Sequence, residues 1–239
     1  MQTHALGGNF NFQGARIDNL GATEYTLVTI AVDTTGSVSG FASELDMMLA
    51  TAVEACKKSP RSDNLLVRVI FFSSMRGVDE IHGFKPLAEI DPQAYPKINP
   101  GGATPLYDAC FSGIAAMNLY GKQLTDQDFG VNAIFIAVTD GANNDSKTSV
   151  SMVAQEIKKA VSGELVESLV SLLIGINASG CASELQSFKN DAGLDSYIDA
   201  GDVTKGKLAK IAGFISQSIS SQSQALGTGG PSQHISATI

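Results

Sequence analysis

The sequence predicts an α/β domain, with a largely parallel sheet between two layers of helices. Three observations carry that expectation. Apolar, β-branched runs of strand length alternate with stretches whose apolar residues recur at helical spacing. The strand runs are apolar throughout rather than at every second position, as in strands buried on both faces. The chain has 239 residues, 44% of them apolar and 17% charged, enough for one large domain with a full core.

Residues 1–23 are polar and glycine-containing and read as an N-terminal arm. Tyr25 to Val32 is a continuous apolar run ending at Asp33, a buried parallel strand. Phe41, Leu45, Met48, Leu49, Ala52, Val53 and Cys56 then form one face of a helix. Asn64 to Ser73 is a second strand. Val78 to Phe84 is shorter and more polar and follows an Arg-Gly turn, which suggests an antiparallel edge strand. Residues 85–103 hold Pro86, Pro92, Pro96 and Pro100 and read as a long irregular loop. Pro105 opens a helix marked by Leu106, Ala109, Cys110, Gly113, Ile114 and Met117. Asn132 to Thr139 is a buried strand, and Val150, Val153, Ala154, Ile157 and Val161 mark a further helix. Leu169 to Ile176 is a strand, Ser183 to Asn190 a short helix, and Tyr197 to Asp199 a weak strand. Leu208, Ile211, Ala212, Ile215 and Ile219 mark the last helix of a domain spanning residues 24–219. Residues 220–239, rich in Ser, Gln and Gly, read as a flexible tail.

Composition excludes several function classes. The net charge of −8 disfavours a nucleic-acid binder or electrostatic docking on an anionic membrane. Trp is absent and aromatics are 7%, so no stacking platform is expected. Three widely spaced cysteines, Cys56, Cys110 and Cys181, do not make a disulfide framework. No His-Cys metal spacing exists. Residues 1–19 lack a basic flank followed by an apolar run, so no signal peptide is expected, and a cytoplasmic location is.

Five oxygen-bearing side chains are the candidate functional residues. Asp33, Thr35 and Ser37 lie in Asp33-Thr34-Thr35-Gly36-Ser37, Thr104 in Gly101-Gly102-Ala103-Thr104-Pro105, and Asp140 in Thr139-Asp140-Gly141. Each segment sits at a strand end or just before a helix. In open α/β sheets, ligands bind beyond the carboxyl ends of the strands, where strand order reverses. If the strands ending at Asp33 and Asp140 are neighbours, both carboxylates reach one crevice. Thr35 and Ser37 alternate, so an extended backbone points both hydroxyls the same way. Two carboxylates and three hydroxyls suit a hard divalent cation, Mg²⁺ or Mn²⁺, with Ca²⁺ also admissible, and leave one coordination position vacant.

This set, in this order, resembles the metal-ion-dependent adhesion site of von Willebrand factor type A domains, over roughly residues 22–220. The family motif begins D-x-S-x-S; Thr35 stands at the first Ser position and keeps the hydroxyl. The resemblance implies that Thr35, Ser37 and Thr104 are direct ligands, that Asp33 and Asp140 often act through water, and that a partner's carboxylate completes the shell. It also implies a doubly wound six-stranded sheet in the order 3-2-1-4-5-6 with an antiparallel edge strand. Gly101 to Leu106 is similar to the G-G-T-P-L form of compact bacterial members, which include tellurite-resistance-associated proteins. For those, AAA+ ATPases of the MoxR type or kinase- and phosphatase-type proteins are implied partners.

The leading expectation is therefore a non-enzymatic protein-binding module. An alternative is a structural or scaffolding subunit that self-assembles through its arm, tail or edge strand, with the metal incidental. Gly36-Ser37-Val38-Ser39-Gly40 matches the G-x-S-x-G pattern of α/β-hydrolases, with Ser39 as nucleophile. Its strand ends three residues too early, and the later histidines, His82 and His234, fall on an edge strand and in the tail. A haloacid-dehalogenase-type phosphatase needs an Asp where Thr35 stands, and no phosphate-binding G-x-x-x-x-G-K-[ST] occurs. Asp108 and Asp145 read as surface charges or caps.

Overall fold

In a computed structural model of the protein, residues 1–6 and 10–228 are described, Val161 and Lys205 by their backbone alone. The strands are β1 (Gln2–Ala5), β2 (Asn11–Gly14), β3 (Glu24–Asp33), β4 (Leu65–Ser73), β5 (Gly77–Pro86), β6 (Gly130–Thr139), β7 (Ser168–Gly175) and β8 (Ser196–Asp199). The helices are α1 (Ala42–Cys56), α2 (Leu106–Thr125), α3 (Val150–Ser162), α4 (Ala182–Ala192) and α5 (Lys205–Thr228).

The strands form one eight-stranded sheet in the order β1-β2-β5-β4-β3-β6-β7-β8. β3 pairs in parallel with β4 and with β6, β6 with β7, and β7 with β8; β4 and β5 are antiparallel. The side chains of β3 divide between two cores. Val28, Ile30 and Val32 pack with Leu45, Leu49 and Val53 of α1 and Ile211 and Ile215 of α5. Leu27 and Ala31 pack with Ile114 and Met117 of α2 and Leu185 of α4. Burial on both faces is why the strand is apolar at successive positions.

Two expectations are corrected. The sheet has eight strands, not six, and β5 is not its edge. Counted from β3 onward, the six strands from β5 to the β8 edge do run 3-2-1-4-5-6, but the segment expected to be a polar arm adds two more beyond β5. β1 and β2 form an antiparallel pair, and β2 lies along the outer side of β5, with Gly14 level with Phe84 and the Ala15 N–H donating to the Phe84 carbonyl at 2.7 Å. A Cβ on Gly83 would meet the Gln13 carbonyl oxygen at 1.9 Å, so the close approach of β2 requires glycine there. Phe12 is buried edge-on against Phe84 and Tyr120, and the Tyr120 hydroxyl donates to the Ala15 carbonyl at 2.8 Å. Aromatic contacts from distant parts of the chain thus hold a segment whose own sequence is polar.

The C-terminal boundary also differs from the reading of residues 220–239 as a tail. Residues 220–228 are the last turns of α5, and residues 229–239 lie outside the described residues. Among the described residues, no helix is long and apolar enough to cross a membrane.

Candidate metal centre

The chain runs from β3 to β4 on one side and reaches β6, through α2, on the other. The order reverses between β3 and β6, so a crevice opens above their carboxyl ends. Asp33 closes β3, and Asp140 follows the last residue of β6. The two strands are paired up to Val32 and Val138, so both carboxylates rise at the same edge.

Four of the five candidate residues form one hydrogen-bonded chain. Fully buried Asp33 accepts the Thr35 N–H at 2.8 Å on Oδ1 and the Thr139 hydroxyl at 2.6 Å on Oδ2. The Thr35 and Ser37 hydroxyls are 2.9 Å apart, and the Ser37 hydroxyl donates to Asp140 Oδ1 at 2.7 Å. The two hydroxyls share a side, although Ser37 lies in a 3-10 turn over Gly36–Gly40 and only Thr35 is extended. Thr104 arrives by its backbone. The Gly36 N–H donates to the Gly102 carbonyl and the Gly101 N–H to the Thr34 carbonyl, both at 3.0 Å. Its hydroxyl oxygen lies 3.4 Å from where a Cβ on Gly141 would sit, so the missing side chain of Gly141 leaves Thr104 open toward the Asp140 loop.

The tip of the β4–β5 hairpin is fastened to the same loop. The Ser74 N–H donates to the Ala103 carbonyl at 2.9 Å, and the Ala103 N–H donates to the Ser74 hydroxyl at 2.8 Å. Gly102 has φ +81°, and a Cβ there would lie 2.6 Å from Ser74 Oγ and 2.9 Å from the Met75 nitrogen. Gly102→Ala is therefore expected to cost about 1–3 kcal/mol of stability in urea denaturation. Gly101→Ala is expected to be close to neutral, because its Cβ meets only the thioether of Met75. That side chain is 76% exposed and free to turn aside.

Electrostatics give the fit test for a cation. Burial pushes the Asp33 carboxyl up to about 6; hydrogen bonds from Thr139 and Thr35 oppose the shift, and the Asp140 charge adds to it. Burial also raises Asp140, against the hydrogen bond from Ser37. Neither carboxylate has an ion-pair partner among the described residues. Two adjacent, poorly solvated carboxylates without a cationic side chain fit a metal ion, and an all-oxygen donor set fits a hard one. Among the described residues no group of three or more His, Cys, Asp and Glu converges, so the hydroxyls are indispensable to such a site. A groove of about 460 Å³ lies elsewhere, between β1 and helices α2 and α3, lined by residues such as Leu6, Phe111 and Met152.

The hydrolase alternative gains nothing from the geometry. The Ser39 hydroxyl donates to the Gly36 carbonyl. His82 is bonded to the Gly83 carbonyl and the Tyr95 hydroxyl, and His4 to the Gln123 amide. His234 lies outside the described residues. Sequence reasoning missed Thr139, which stands directly before Asp140 at the strand end and holds Asp33. It also placed Asp108 as a surface charge or cap; the side chain is buried and accepts from the Lys147 and Thr148 backbone and the Thr148 hydroxyl.

No family model matches the chain, and no curated protein matches it in sequence. Solved structures do match in shape. The pilus adhesin SpaC from Lactobacillus rhamnosus GG, in its open conformation, superposes with a TM-score of 0.56 at 12% identity, over 83% of this chain and 30% of the adhesin. Proximal thread matrix protein 1 from the mussel byssus superposes with a TM-score of 0.53 at 19% identity, over 84% of this chain and 47% of that one. A form of the mussel protein with zinc in its MIDAS motif has a TM-score of 0.49 at 17% identity, over 82% of this chain and 46% of that one. The chain thus spans less than half the length of these proteins. The likeness shows the fold, which is of the von Willebrand factor A type.

Proposed function

We propose that this chain is a non-enzymatic protein-binding module that engages an acidic residue of a partner protein through a divalent cation. Thr35, Ser37 and Thr104 would supply hydroxyl oxygens to the ion, with Asp33 and Asp140 as the anionic donors, directly or through water. When bound, the ion supplies an electrophilic position for an external carboxylate. Mg²⁺ or Mn²⁺ suits the donors, since none is a nitrogen or a sulfur.

The observation that carries this reading is a buried carboxylate, Asp33, beside a partly buried one, Asp140. Asp33 and Asp140 stand at the sheet's switch point with three hydroxyls and, among the described residues, without an ion-pair partner. Two negative charges leave a divalent ion bound only to neutral hydroxyls otherwise, so it keeps a strong pull on a further anion. Among the described residues no general base is bonded to Ser39, whose hydroxyl donates to the Gly36 carbonyl, which favours binding over hydrolysis. Met75 adds an exposed apolar side chain beside the Gly101–Gly102 backbone, where a partner residue next to the carboxylate would lie. An AAA+ ATPase or a kinase- or phosphatase-type protein with an acidic loop would meet these requirements.

Selection from a displayed peptide library on the immobilised chain in Mg²⁺ tests the proposal. Selected peptides are expected to carry an Asp or Glu, and to lose binding when it becomes Asn or Gln or when EDTA is added. Peptides that bind through neither an acid nor the metal would contradict it.

A further inference from the structure

Thr104 is the one candidate ligand whose side chain takes no part in the hydrogen-bonded chain from Asp33 to Asp140. Something else must place its hydroxyl. Both polar groups of its backbone are held by a single residue forty positions later. The Thr104 N–H donates to Asn144 Oδ1 at 2.6 Å, and the Asn144 N–H donates back to the Thr104 carbonyl at 3.0 Å. A reciprocal pair of this kind fixes position and rotation of the peptide together, where one bond would leave a hinge.

The rest of the loop strengthens the clamp. α2 starts at Leu106 behind Pro105, which has no N–H, and the Tyr107 and Asp108 donors of its first turn find partners in the same loop. The Tyr107 N–H reaches Asn143 Oδ1 at 3.3 Å and the Ser146 hydroxyl at 3.0 Å, and the Asp108 N–H reaches that hydroxyl at 3.2 Å. In return, the buried Asp108 carboxylate accepts the Thr148 N–H at 2.8 Å and the Thr148 hydroxyl at 2.7 Å. The loop after Asp140 is therefore bolted to the first turn of α2 at several points. Only the Asn144 bonds act on Thr104 itself.

We infer that Asn144 is a positioning residue for the metal centre, setting the Thr104 hydroxyl at a fixed distance from Asp140. This rests on the metal-binding reading above. Asn144 supplies no atom to the ion in this account; it acts through Thr104. The loop following Asp140 thereby becomes the ruler that spaces two ligands, one just before α2 and one at the end of β6.

A double-mutant cycle on Mg²⁺ affinity, measured by calorimetry on the full chain, tests it. Asn144→Ala is expected to weaken Mg²⁺ binding about tenfold, the scale seen when groups that orient metal ligands are removed. In a Thr104→Ala background the same change is expected to have almost no further effect. Full additivity of the two changes, or wild-type affinity in Asn144→Ala, would overturn the inference. A purely structural role would instead lower the thermal midpoint in EDTA while leaving Mg²⁺ affinity unchanged, which also overturns it. Asn144→Asp keeps the acceptor and guards against a variant that fails to fold. Its Thr104 amide proton is expected to keep the downfield NMR shift of a short hydrogen bond, whereas Asn144→Ala loses it. If the wild type itself takes up no Mg²⁺, the metal reading fails and this inference with it. That outcome is distinct from wild-type binding that Asn144→Ala leaves intact.

Discussion

Asp140→Ala is expected to weaken Mg²⁺ binding by at least tenfold while leaving the metal-free protein as stable as before, or more so. The two effects have opposite signs for one reason. In the proposed site Asp140 is one of two anionic donors, so its loss would remove a large part of the attraction for a divalent ion, and tenfold corresponds to about 1.4 kcal/mol. In the absence of metal the same carboxylate is a burden. It is desolvated, and its charge helps to raise the Asp33 carboxyl. Removing it relieves that repulsion, and the Ser37 hydroxyl it accepted from is exposed enough to turn to water. Asp33 is the poorer choice for this experiment, because the buried donors from Thr35 and Thr139 would lose their acceptor. Thermal midpoints with and without Mg²⁺ separate the contributions. An ion at about a hundredfold excess over its dissociation constant stabilises the folded state by about 2.7 kcal/mol. The wild type should show such a shift and Asp140→Ala much less of it.

The largest loss of stability is expected away from the site, at Arg68. This side chain lies in the middle of β4 and is fully buried. Its Nε donates to Glu80 Oε2 at 2.6 Å, and its terminal nitrogens donate to the Ser112 carbonyl at 3.2 Å and hydroxyl at 3.3 Å. The guanidinium also lies over the Phe12 ring, 5.9 Å from its centre. Arg68→Met leaves Glu80 without its counter-ion in a poorly solvated place, and breaking a buried pair from one side costs about 3–5 kcal/mol. Against a total stability of about 5–15 kcal/mol, that threatens folding outright. The double change Arg68→Met with Glu80→Gln should recover much of the loss, since Gln keeps an acceptor for the Gln13 N–H that Glu80 now receives. Urea denaturation of the four proteins gives the coupling. Amide exchange at residues 11–14 should rise in the single variant, because Phe12 and Gln13 tie β2 to this pair. Equal stability of Arg68→Met and the wild type would refute the account of how the N-terminal strands are held.

The central strands and helices were legible because each is decided by its own residues. β3, β4, β6 and β7 are buried on both faces, so their apolar runs are unbroken, and each helix shows a stripe facing one sheet surface. β1 and β2 were not legible. They are four residues each, and the groups that bury Phe12 come from Phe84 and Tyr120, far along the chain. The end of α5 was misread for a related reason. Gln222 and Ser223 look like tail composition, yet they are buried; the Gln222 amide donates to the Ser168 hydroxyl at 2.7 Å, and Arg61 donates to the Ser223 hydroxyl at 3.3 Å. Partners remote in sequence turned polar residues into interior ones. At the proposed site, the five candidate oxygen-bearing residues were picked out by strand ends and glycines. Thr139 and Asn144 were not, because their roles exist only as hydrogen bonds between loops.

The central claim is that Asp33, Thr35, Ser37, Thr104 and Asp140 hold a divalent cation. Calorimetric titration of the metal-free wild-type chain with Mg²⁺, repeated with Thr104→Ala, tests it most directly. The account predicts saturable one-site binding in the wild type and marked weakening when the Thr104 hydroxyl is removed. Absence of any saturable heat in the wild type up to millimolar Mg²⁺ and Mn²⁺, or identical isotherms for the two proteins, would contradict it.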